Sequence, residues 1–259
     1  MRLLCIGDVC GQNGCEKIRA ELPRLKREEN IDVVIINGEN SADTNGVTPY
    51  SADYLFACGA DVITGGNHSF RNSQIVPYLD SNPFILRPHN LSDAEGGSGY
   101  CLLDKGRYSV AVINLSGVIY LDKLKTQNPF VCADELIEKA KTDGANIIVV
   151  DFHAEATSEK RALGFYLDGK VSVVFGTHTH IQTADNKILP QGTGYITDLG
   201  MTGPEDSVLG VKKEIIINRL KLNDMSKFEL ADGKATLNGC IFEIDEKTGK
   251  TLNTKRVLI

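Results

Sequence analysis

Residues 32–40 read Asp-Val-Val-Ile-Ile-Asn-Gly-Glu-Asn, an apolar run that ends abruptly in polar side chains. The composition of Asp32–Ile36 predicts a strand that is buried on both faces, as in a parallel sheet covered by helices. In open α/β sheets the ligand site lies beyond the carboxyl ends of such strands. The polar residues that follow Ile36 are therefore candidates for chemistry, and the rest of the chain can be searched for the same pattern.

The same pattern recurs along the chain. Strands are predicted at Arg2–Ile6, Asp61–Thr64, Asn146–Val150 and Val171–Phe175, and each is followed by polar residues. The tail from Lys213 onward alternates more and carries turn signals, which predicts antiparallel strands. The polar residues at the five strand ends are Asp8, Glu39, Asn40, Asn67, His68, His153, His178 and His180.

Helices are predicted between these strands. Cys15–Glu29 has helical spacing, although Pro23 within it argues for a break or a late start. Thr48 and Pro49 have the residue types of an N-cap and a first helical position, and this helix is predicted to end at Cys58. The order is β-α-β first and antiparallel later. We therefore expect one α/β domain over residues 1–259, with helices covering a sheet or a pair of sheets.

Composition limits the classes of function. The 259 residues include 28 Lys and Arg against 34 Asp and Glu, a formal charge of −6. This acidity argues against a broad nucleic-acid groove, so we expect no stable nucleic-acid partner. The N-terminus lacks the apolar stretch of a signal peptide, and no segment approaches the roughly 20 apolar residues of a membrane span. We expect a cytoplasmic protein without a membrane partner, in which the seven cysteines are reduced thiols.

The polar residues at the strand ends predict a metal site. In an extended segment, His178 and His180 would point to the same side, and histidine is the commonest metal ligand. Four of the five histidines, two carboxylates and two asparagines lie at strand ends, a mixture that suits Fe, Mn or Zn better than Ca or Mg. This set is too large for one tetrahedral site. Two ions bridged by a carboxylate, roughly 3.5–4 Å apart, would use it and would form a template for phosphoester displacement.

Several motifs carry a resemblance to a known family. They are Gly-Asp (7–8), Asn-Gly-Glu-Asn (37–40), Gly-Asn-His (66–68), Asp-Phe-His-Ala-Glu-Ala-Thr-Ser-Glu-Lys (151–160) and Gly-Thr-His-Thr-His (176–180). Together they resemble the calcineurin-like metallophosphoesterases and, within them, the bacterial YmdB-type phosphodiesterases. The narrower similarity is supported by residues 182–186, 195–198 and 200–204. The resemblance extends in order over nearly the whole chain.

The resemblance implies a four-layer αββα sandwich with mixed sheets and a dinuclear metal centre. The implied ligands of one ion are Asp8, Glu39, Asn40 and His180. The implied ligands of the other are Glu39, Asn67, His153 and His178. Glu39 then bridges the two ions, and His68 is the catalytic residue beside the substrate phosphate. We expect iron, with manganese or zinc as alternatives.

Other residues near the motifs have interpretations of their own. Cys10 stands where the broad superfamily has the histidine of Asp-x-His, and we interpret it as a small apolar filler rather than a ligand. Thr183 and Asp185 could orient His180 from behind or could be turn residues, and Thr202 could lie on a substrate-side loop. Glu155 could cap the following helix or touch substrate. His89 matches no motif and is interpreted as structural.

The expected activity is hydrolysis of a small phosphodiester, a cyclic nucleotide, by a hydroxide that bridges two metal ions. The family resemblance supplies the cyclic nucleotide and leaves the 2′,3′- and 3′,5′-cyclic forms open. One alternative is a phosphomonoesterase or 5′-nucleotidase on the same metal core. Another is a regulatory scaffold that binds nucleotide or an RNA-related partner with little turnover. A homo-oligomer is left open by the sequence.

Overall fold

The computed structural model describes residues 1–43 and 45–259. The helices are α1 (Gly11–Glu28), α2 (Pro49–Cys58), α3 (Ile75–Ser81), α4 (Pro129–Thr142), α5 (Thr157–Leu167) and α6 (Lys213–Leu222). The strands are β1 (Arg2–Ile6), β2 (Asp8–Val9), β3 (Val33–Asn37), β4 (Val62–Thr64), β5 (Tyr100–Asp104), β6 (Ser109–Ser116), β7 (Ile147–His153), β8 (Val173–Thr177), β9 (Lys187–Ile188), β10 (Gly194–Ile196), β11 (Met201–Pro204), β12 (Ala235–Thr236), β13 (Asn238–Ile244) and β14 (Thr251–Leu258).

The strands form two large mixed sheets and a small one. The first has the order β14-β13-β1-β3-β4, in which β1, β3 and β4 are parallel and β13 and β14 are antiparallel. The second has the order β5-β6-β7-β8-β10-β9, with β6, β7, β8 and β10 parallel. The small sheet, β12-β11-β2, joins the segment after β1 to the C-terminal half of the chain.

Three apolar clusters define four layers. One lies between the first sheet and α1, α2 and α3, and another lies between the second sheet and α4 and α5. The third lies between the two sheets and includes Leu3 and Ile35 from one sheet and Val149 and Phe175 from the other. The successive apolar residues of β3 thus face different clusters, which explains its uniformly apolar sequence. The predicted αββα sandwich with mixed sheets is confirmed.

Helix α1 differs from its prediction, since it begins at Gly11 and continues through Pro23 without a break. Pro23 is exposed, so water can bond the carbonyl that loses its partner. Ile18, Leu22 and Leu25 are buried on the opposite face. Each buried side chain contributes about 1.5–3 kcal/mol, which together exceed the roughly 3 kcal/mol cost of an internal proline.

The N-terminus of α2 is as predicted. The Thr48 side chain accepts a hydrogen bond from the Ser51 backbone, Pro49 follows the cap, and Gly59 ends the helix in a left-handed conformation. The tail is predicted only in part. β13 and β14 are antiparallel as expected, whereas the tail also contains a helix, α6. Among the described residues, no helix is long and apolar enough to cross a membrane.

Candidate metal centre

The predicted ligands come together at the carboxyl ends of the parallel strands of both sheets. Beside the first sheet, Asp8 lies in β2 of the small sheet, just after β1. Glu39 and Asn40 follow β3, and Asn67 and His68 follow β4. In the second sheet, His153 is the last residue of β7, and His178 and His180 follow β8. The two sheets pack face to face, so their strand ends meet in one place.

One group of donor atoms surrounds Nε2 of His153. Asn67 Oδ1 lies 2.8 Å from this nitrogen, His178 Nδ1 lies 3.1 Å from it, and Glu39 Oε2 lies 3.3 Å from it. Glu39, His153 and His178 place their donor atoms within 4.8 Å of one another, close enough to hold one metal ion. These four residues are the set predicted for one of the two ions.

A second group lies beside the first. His180 Nε2 is 3.7 Å from Asp8 Oδ1 and 3.4 Å from Asn40 Nδ2, and that amide donates to Glu39 Oε1 at 2.9 Å. Glu39 therefore points one oxygen toward each group, as a bridging ligand would. The Asn40 amide oxygen, the atom that would bind a metal, instead lies 2.9 Å from His68 Nδ1.

The protonation states of three histidines and of Glu39 suit metal ligation, which requires neutral imidazoles and ionised carboxylates. Burial holds the pKa of His153 well below its ordinary value and lowers the pKa of His180 to about 4. Burial also lowers the pKa of His178. Burial raises the pKa of Glu39, but the neighbouring His153 and His68 outweigh it and the net shift is downward. Three histidines therefore present lone pairs at neutral pH.

Asp8 shows that this donor set fits a cation. Its Oδ2 accepts a hydrogen bond from the backbone of His178, whereas its Oδ1 is buried without a hydrogen-bond partner among the described residues. Burial and the nearby Glu39 raise the pKa of Asp8 well above its ordinary value. A buried carboxylate oxygen without a partner is costly unless a positive charge faces it. A cation bound next to His180 would face Asp8 Oδ1 and supply this charge.

Gly66 allows the first group to close. A Cβ atom at this position would lie 2.1 Å from Glu39 Oε2 and 2.4 Å from His153 Nε2. Real Cβ atoms do not approach other atoms so closely, so any side chain here would displace two of the proposed ligands. This close approach explains the glycine directly before Asn67.

A cavity of about 410 Å³ opens beside the donor atoms. Its volume falls within the range of small-ligand sites. His68 lines it with a side chain that is 29% exposed, so this residue is accessible from the cavity. The lining residues are Glu39, Asn40, Asn45, His68, Arg71, Glu155, His178, Thr179, His180, Leu209, Val211, Ile216 and Phe228.

Sequence and structure comparisons agree on the family of this chain. The family model described as YmdB-like protein matches residues 4–257. A Bacillus subtilis (strain 168) protein named 2′,3′-cyclic-nucleotide 2′-phosphodiesterase is 46% identical over 259 residues, covering 100% of this chain and 97% of that protein. The chain belongs to the YmdB-like family. These matches confirm the resemblance that the strand-end motifs indicated.

Solved structures extend the similarity. A Mycoplasma pneumoniae protein described as a novel phosphatase is 36% identical, with a TM-score of 0.94 over 100% of this chain and 93% of that one. A putative 5′-nucleotidase from Staphylococcus aureus is 15% identical, with a TM-score of 0.61 over 99% of this chain and 54% of that one. The second similarity shows that the YmdB-like chain has the same fold as part of that protein.

The loop that carries His178 and His180 in this YmdB-like chain is not extended, so the predicted alternation is wrong. β8 ends at Thr177, and the φ angles of His178 and His180 are 100° and 65°. Positive φ is uncommon for residues other than glycine and persists where the surroundings enforce it. Both rings face the centre because the chain turns at these residues, and not because alternate residues of a strand share one side.

A buried ion pair enforces this turn, and sequence analysis missed it. Lys160 and Asp198 are each 1% exposed, and Lys160 Nζ donates to Asp198 Oδ2 at 2.6 Å and to the Thr177 carbonyl at 2.8 Å. Asp198 Oδ2 also accepts from the Thr179 backbone at 3.1 Å and from the Thr179 hydroxyl at 2.8 Å. The pair thus fixes the residue between the two histidines. Its sequence signal was the lysine at the end of motif 151–160.

Glu155 and Cys10 each contact a histidine ring from outside. Glu155 Oε2 lies 3.1 Å from His178 Nε2, the ring nitrogen opposite the one that faces His153. It is not a helix cap, since α5 begins after Ala156 without a side-chain cap. Cys10 Sγ lies 3.8 Å from His180 Nδ1, and burial raises the pKa of its thiol well above the ordinary value. The interpretation of Cys10 as a filler stays a prediction.

Thr183, Asp185 and Thr202 lie behind the segments that carry the candidate ligands. The Thr183 hydroxyl accepts a hydrogen bond from the Asp198 backbone N–H at 3.0 Å and donates one to Asp185 at 2.8 Å. Asp185 in turn accepts from the backbone and hydroxyl of Thr197. Thr202 is fully buried in β11, and its carbonyl accepts from the Cys10 backbone at 2.9 Å. These contacts place Thr183 and Asp185 behind the histidine loop and Thr202 behind the Asp8 segment.

Proposed function

We propose that this chain is a metal-dependent phosphodiesterase that hydrolyses a small phosphodiester, a cyclic nucleotide, at a dinuclear centre. The observation that carries the proposal is the position of Glu39, which directs one carboxylate oxygen to each of two donor groups beside an open cavity. The name of the Bacillus subtilis relative supports a 2′,3′-cyclic nucleotide as substrate. The 3′,5′-cyclic form is a second candidate.

The two groups assign ligands to the two ions. Asp8, Glu39, Asn40 and His180 would hold one, and Glu39, Asn67, His153 and His178 would hold the other. Mixed imidazole and oxygen donors suit iron, manganese or zinc, and of these we expect iron. When bound, such a pair of ions supplies a nucleophile at neutral pH and neutralises charge on the phosphate oxygens.

His68 is the residue of this chain that meets the substrate directly. Its backbone N–H donates to Glu39 Oε2 at 3.1 Å, and its Nδ1 lies 2.9 Å from Asn40 Oδ1. These two contacts fix the ring at the edge of the cavity and leave Nε2 available to the substrate. With Nδ1–H donating to Asn40 Oδ1, the imidazolium form of His68 carries a second proton on Nε2. This proton would pass to the leaving ribose oxygen as the phosphorus–oxygen bond breaks, which leaves a neutral imidazole and is general acid catalysis.

Metal analysis of anaerobically purified protein, paired with a panel of cyclic nucleotides, tests the proposal. We expect two metal ions per chain and hydrolysis of 2′,3′-cyclic nucleotides. One ion per chain, or none, would contradict the dinuclear centre. Nucleotide binding without hydrolysis by metal-replete protein would support the regulatory scaffold instead.

The phosphatase description of the Mycoplasma pneumoniae structure favours a second test, against phosphomonoesterase activity. Bis-p-nitrophenyl phosphate is a diester, and p-nitrophenyl phosphate is the corresponding monoester. We expect faster turnover of the diester at equal metal content. Faster turnover of the monoester would support a phosphomonoesterase or 5′-nucleotidase.

The variant His68→Ala is expected to keep both metal ions and to lose about 10²–10⁴-fold in kcat on a cyclic nucleotide. The loss should be much smaller on bis-p-nitrophenyl phosphate, because p-nitrophenolate leaves without needing a proton. Initial rates on both substrates and metal content by mass spectrometry measure this difference. His89→Ala, which removes the histidine outside the motifs, should keep the wild-type kcat on both. Loss of the metals from a folded His68→Ala protein would show that His68 is a ligand.

Glu155→Ala is expected to weaken metal affinity by about 10–100-fold, because the partner of a ligating histidine fixes its tautomer and orientation. Here the Glu155 carboxylate accepts from His178 Nε2 and leaves Nδ1 for the metal. Titration of chelator-stripped protein with Mn²⁺ by calorimetry measures the affinity. Glu155→Gln keeps an acceptor oxygen and should recover most of it. Glu138→Ala, at a 72% exposed side chain on α4, is the control and should bind as wild type. Equal affinity for Glu155→Ala and wild type would show that Glu155 does not act on the metal.

A further inference from the structure

The cavity beside the metal centre has two chemically different walls. One wall consists of four candidate ligands together with His68, Arg71 and Glu155, all of them charged or polar; the four are Glu39, Asn40, His178 and His180. The other wall consists of Leu209, Val211, Ile216 and Phe228. A phosphate group can form hydrogen bonds and ion pairs with the first wall, whereas the second wall offers neither. The second wall therefore fits an apolar or aromatic part of the same ligand.

Phe228 is the aromatic residue of the apolar wall. Its side chain is 52% exposed although it lines the cavity, so a large part of the ring is open to a ligand. The Arg219 guanidinium carbon lies 4.5 Å from the ring centroid, which supports the ring with a cation–π contact. A ring held in this way is suited to stacking against a flat group.

The segment that carries Phe228 is bonded to the residues just before α6. The Lys212 backbone N–H donates to the Glu229 carbonyl at 2.9 Å, and their side chains form an ion pair at 2.7 Å. Val211 and Leu230 form an isolated β-bridge next to this pair. Phe228 is adjacent to Glu229, so these contacts fix its backbone at the edge of the cavity.

We propose that Phe228 is a specificity-determining residue that stacks against the nucleobase while the phosphate occupies the metal centre. This inference rests on the proposed function and adds the part of the substrate that the metal centre does not recognise. None of the four side chains of the apolar wall can form a hydrogen bond, so the wall cannot distinguish bases by their edges. The site should accept all four bases and discriminate against a phosphodiester that has none.

The variant Phe228→Ala tests the inference with two substrates. One is 2′,3′-cyclic AMP, and the other is the cyclic phosphate of 1-deoxyribose, which has the same reacting group and no base. Stacking of a base on an aromatic side chain is worth about 1–3 kcal/mol. We expect Phe228→Ala to raise KM for 2′,3′-cyclic AMP by about ten-fold, equal to about 1.4 kcal/mol, and to leave kcat/KM on the base-free substrate unchanged.

Two further variants separate stacking from folding. Phe228→Trp keeps an aromatic face and should restore the wild-type KM for 2′,3′-cyclic AMP. Leu220→Ala removes an 81% exposed side chain from α6 that does not line the cavity, and it should leave both substrates unaffected. An equal loss on both substrates, or no loss on either, would overturn the role of Phe228.

Binding of AMP to metal-loaded protein distinguishes failure of this inference from failure of the proposed function. If the wild-type protein hydrolyses neither substrate, the proposed activity is wrong, and calorimetry with AMP still tests the wall. A Kd about ten-fold weaker for Phe228→Ala than for wild type supports stacking. Equal Kd values for the two proteins overturn it.

Discussion

Replacing Glu39 by glutamine is expected to remove both metal ions and to reduce kcat on a cyclic nucleotide by about 10³-fold or more. Glu39 is 1% exposed, and its two oxygens face the two donor groups separately, so one substitution weakens both sites. A pair of metal ions stabilises the transition state by several kcal/mol, and each 1.36 kcal/mol corresponds to a ten-fold change in rate. Glutamine has almost the same shape, so the fold should persist.

Metal content by mass spectrometry and initial rates at saturating substrate measure this effect, with circular dichroism to verify folding. Glu28→Gln is the matched control, because Glu28 lies 57% exposed on α1 and pairs only with surface charge. It should keep two ions and wild-type turnover. A folded Glu39→Gln protein that retains two ions would contradict the bridging role. One that retains a single ion would assign Glu39 to one site alone.

The sheets were predictable because burial on both faces leaves a direct mark on the sequence. The strand predicted at Asp32–Ile36 agrees with β3 to within one residue at each end, and the apolar residues of β3 contact two different clusters. The prediction of a break or a late start at Pro23 was wrong because the local backbone preference of proline competes with burial. The free energy gained by the buried face of α1 outweighs the cost of one missing hydrogen bond. Helix α6 was missed because it has no buried residue, so no apolar periodicity marks it.

The site was predictable in its residue types and less so in its geometry. Position at a strand end brought Asp8, Glu39 and His153 together, because parallel strands end at the same edge of each sheet and the two sheets pack face to face. The conformation of His178 and His180 depends on a contact with Asp198, which is distant in sequence from Lys160. Periodicity carries no information on such a tertiary contact. The positive φ angles of the two histidines could therefore not be inferred from alternation.

Lys160→Met is expected to lower the free energy of unfolding by about 3–5 kcal/mol, the cost of leaving one member of a buried ion pair without its partner. Asp198 would remain 1% exposed with its charge balanced only by hydrogen bonds from Thr179 and Gly200. Urea unfolding monitored by circular dichroism measures the change. For a chain of this size the melting temperature should fall by roughly 10 °C.

A lysine in a surface pair provides the matched control. Lys170→Met removes a pair with Asp134 in which both side chains are 40% exposed or more, and such pairs contribute at most about 1 kcal/mol. Adding Asp198→Asn to Lys160→Met removes the unpaired charge and should recover part of the lost stability. Equal unfolding midpoints for Lys160→Met and Lys170→Met would contradict the importance of the buried pair. Lys160→Met could instead be destabilised and also bind Mn²⁺ more weakly than Lys170→Met. That result would show that the buried pair both stabilises the sheet and holds the histidine loop in its left-handed conformation. Asp198 would account for both effects, because it bonds Lys160 and the loop residue Thr179.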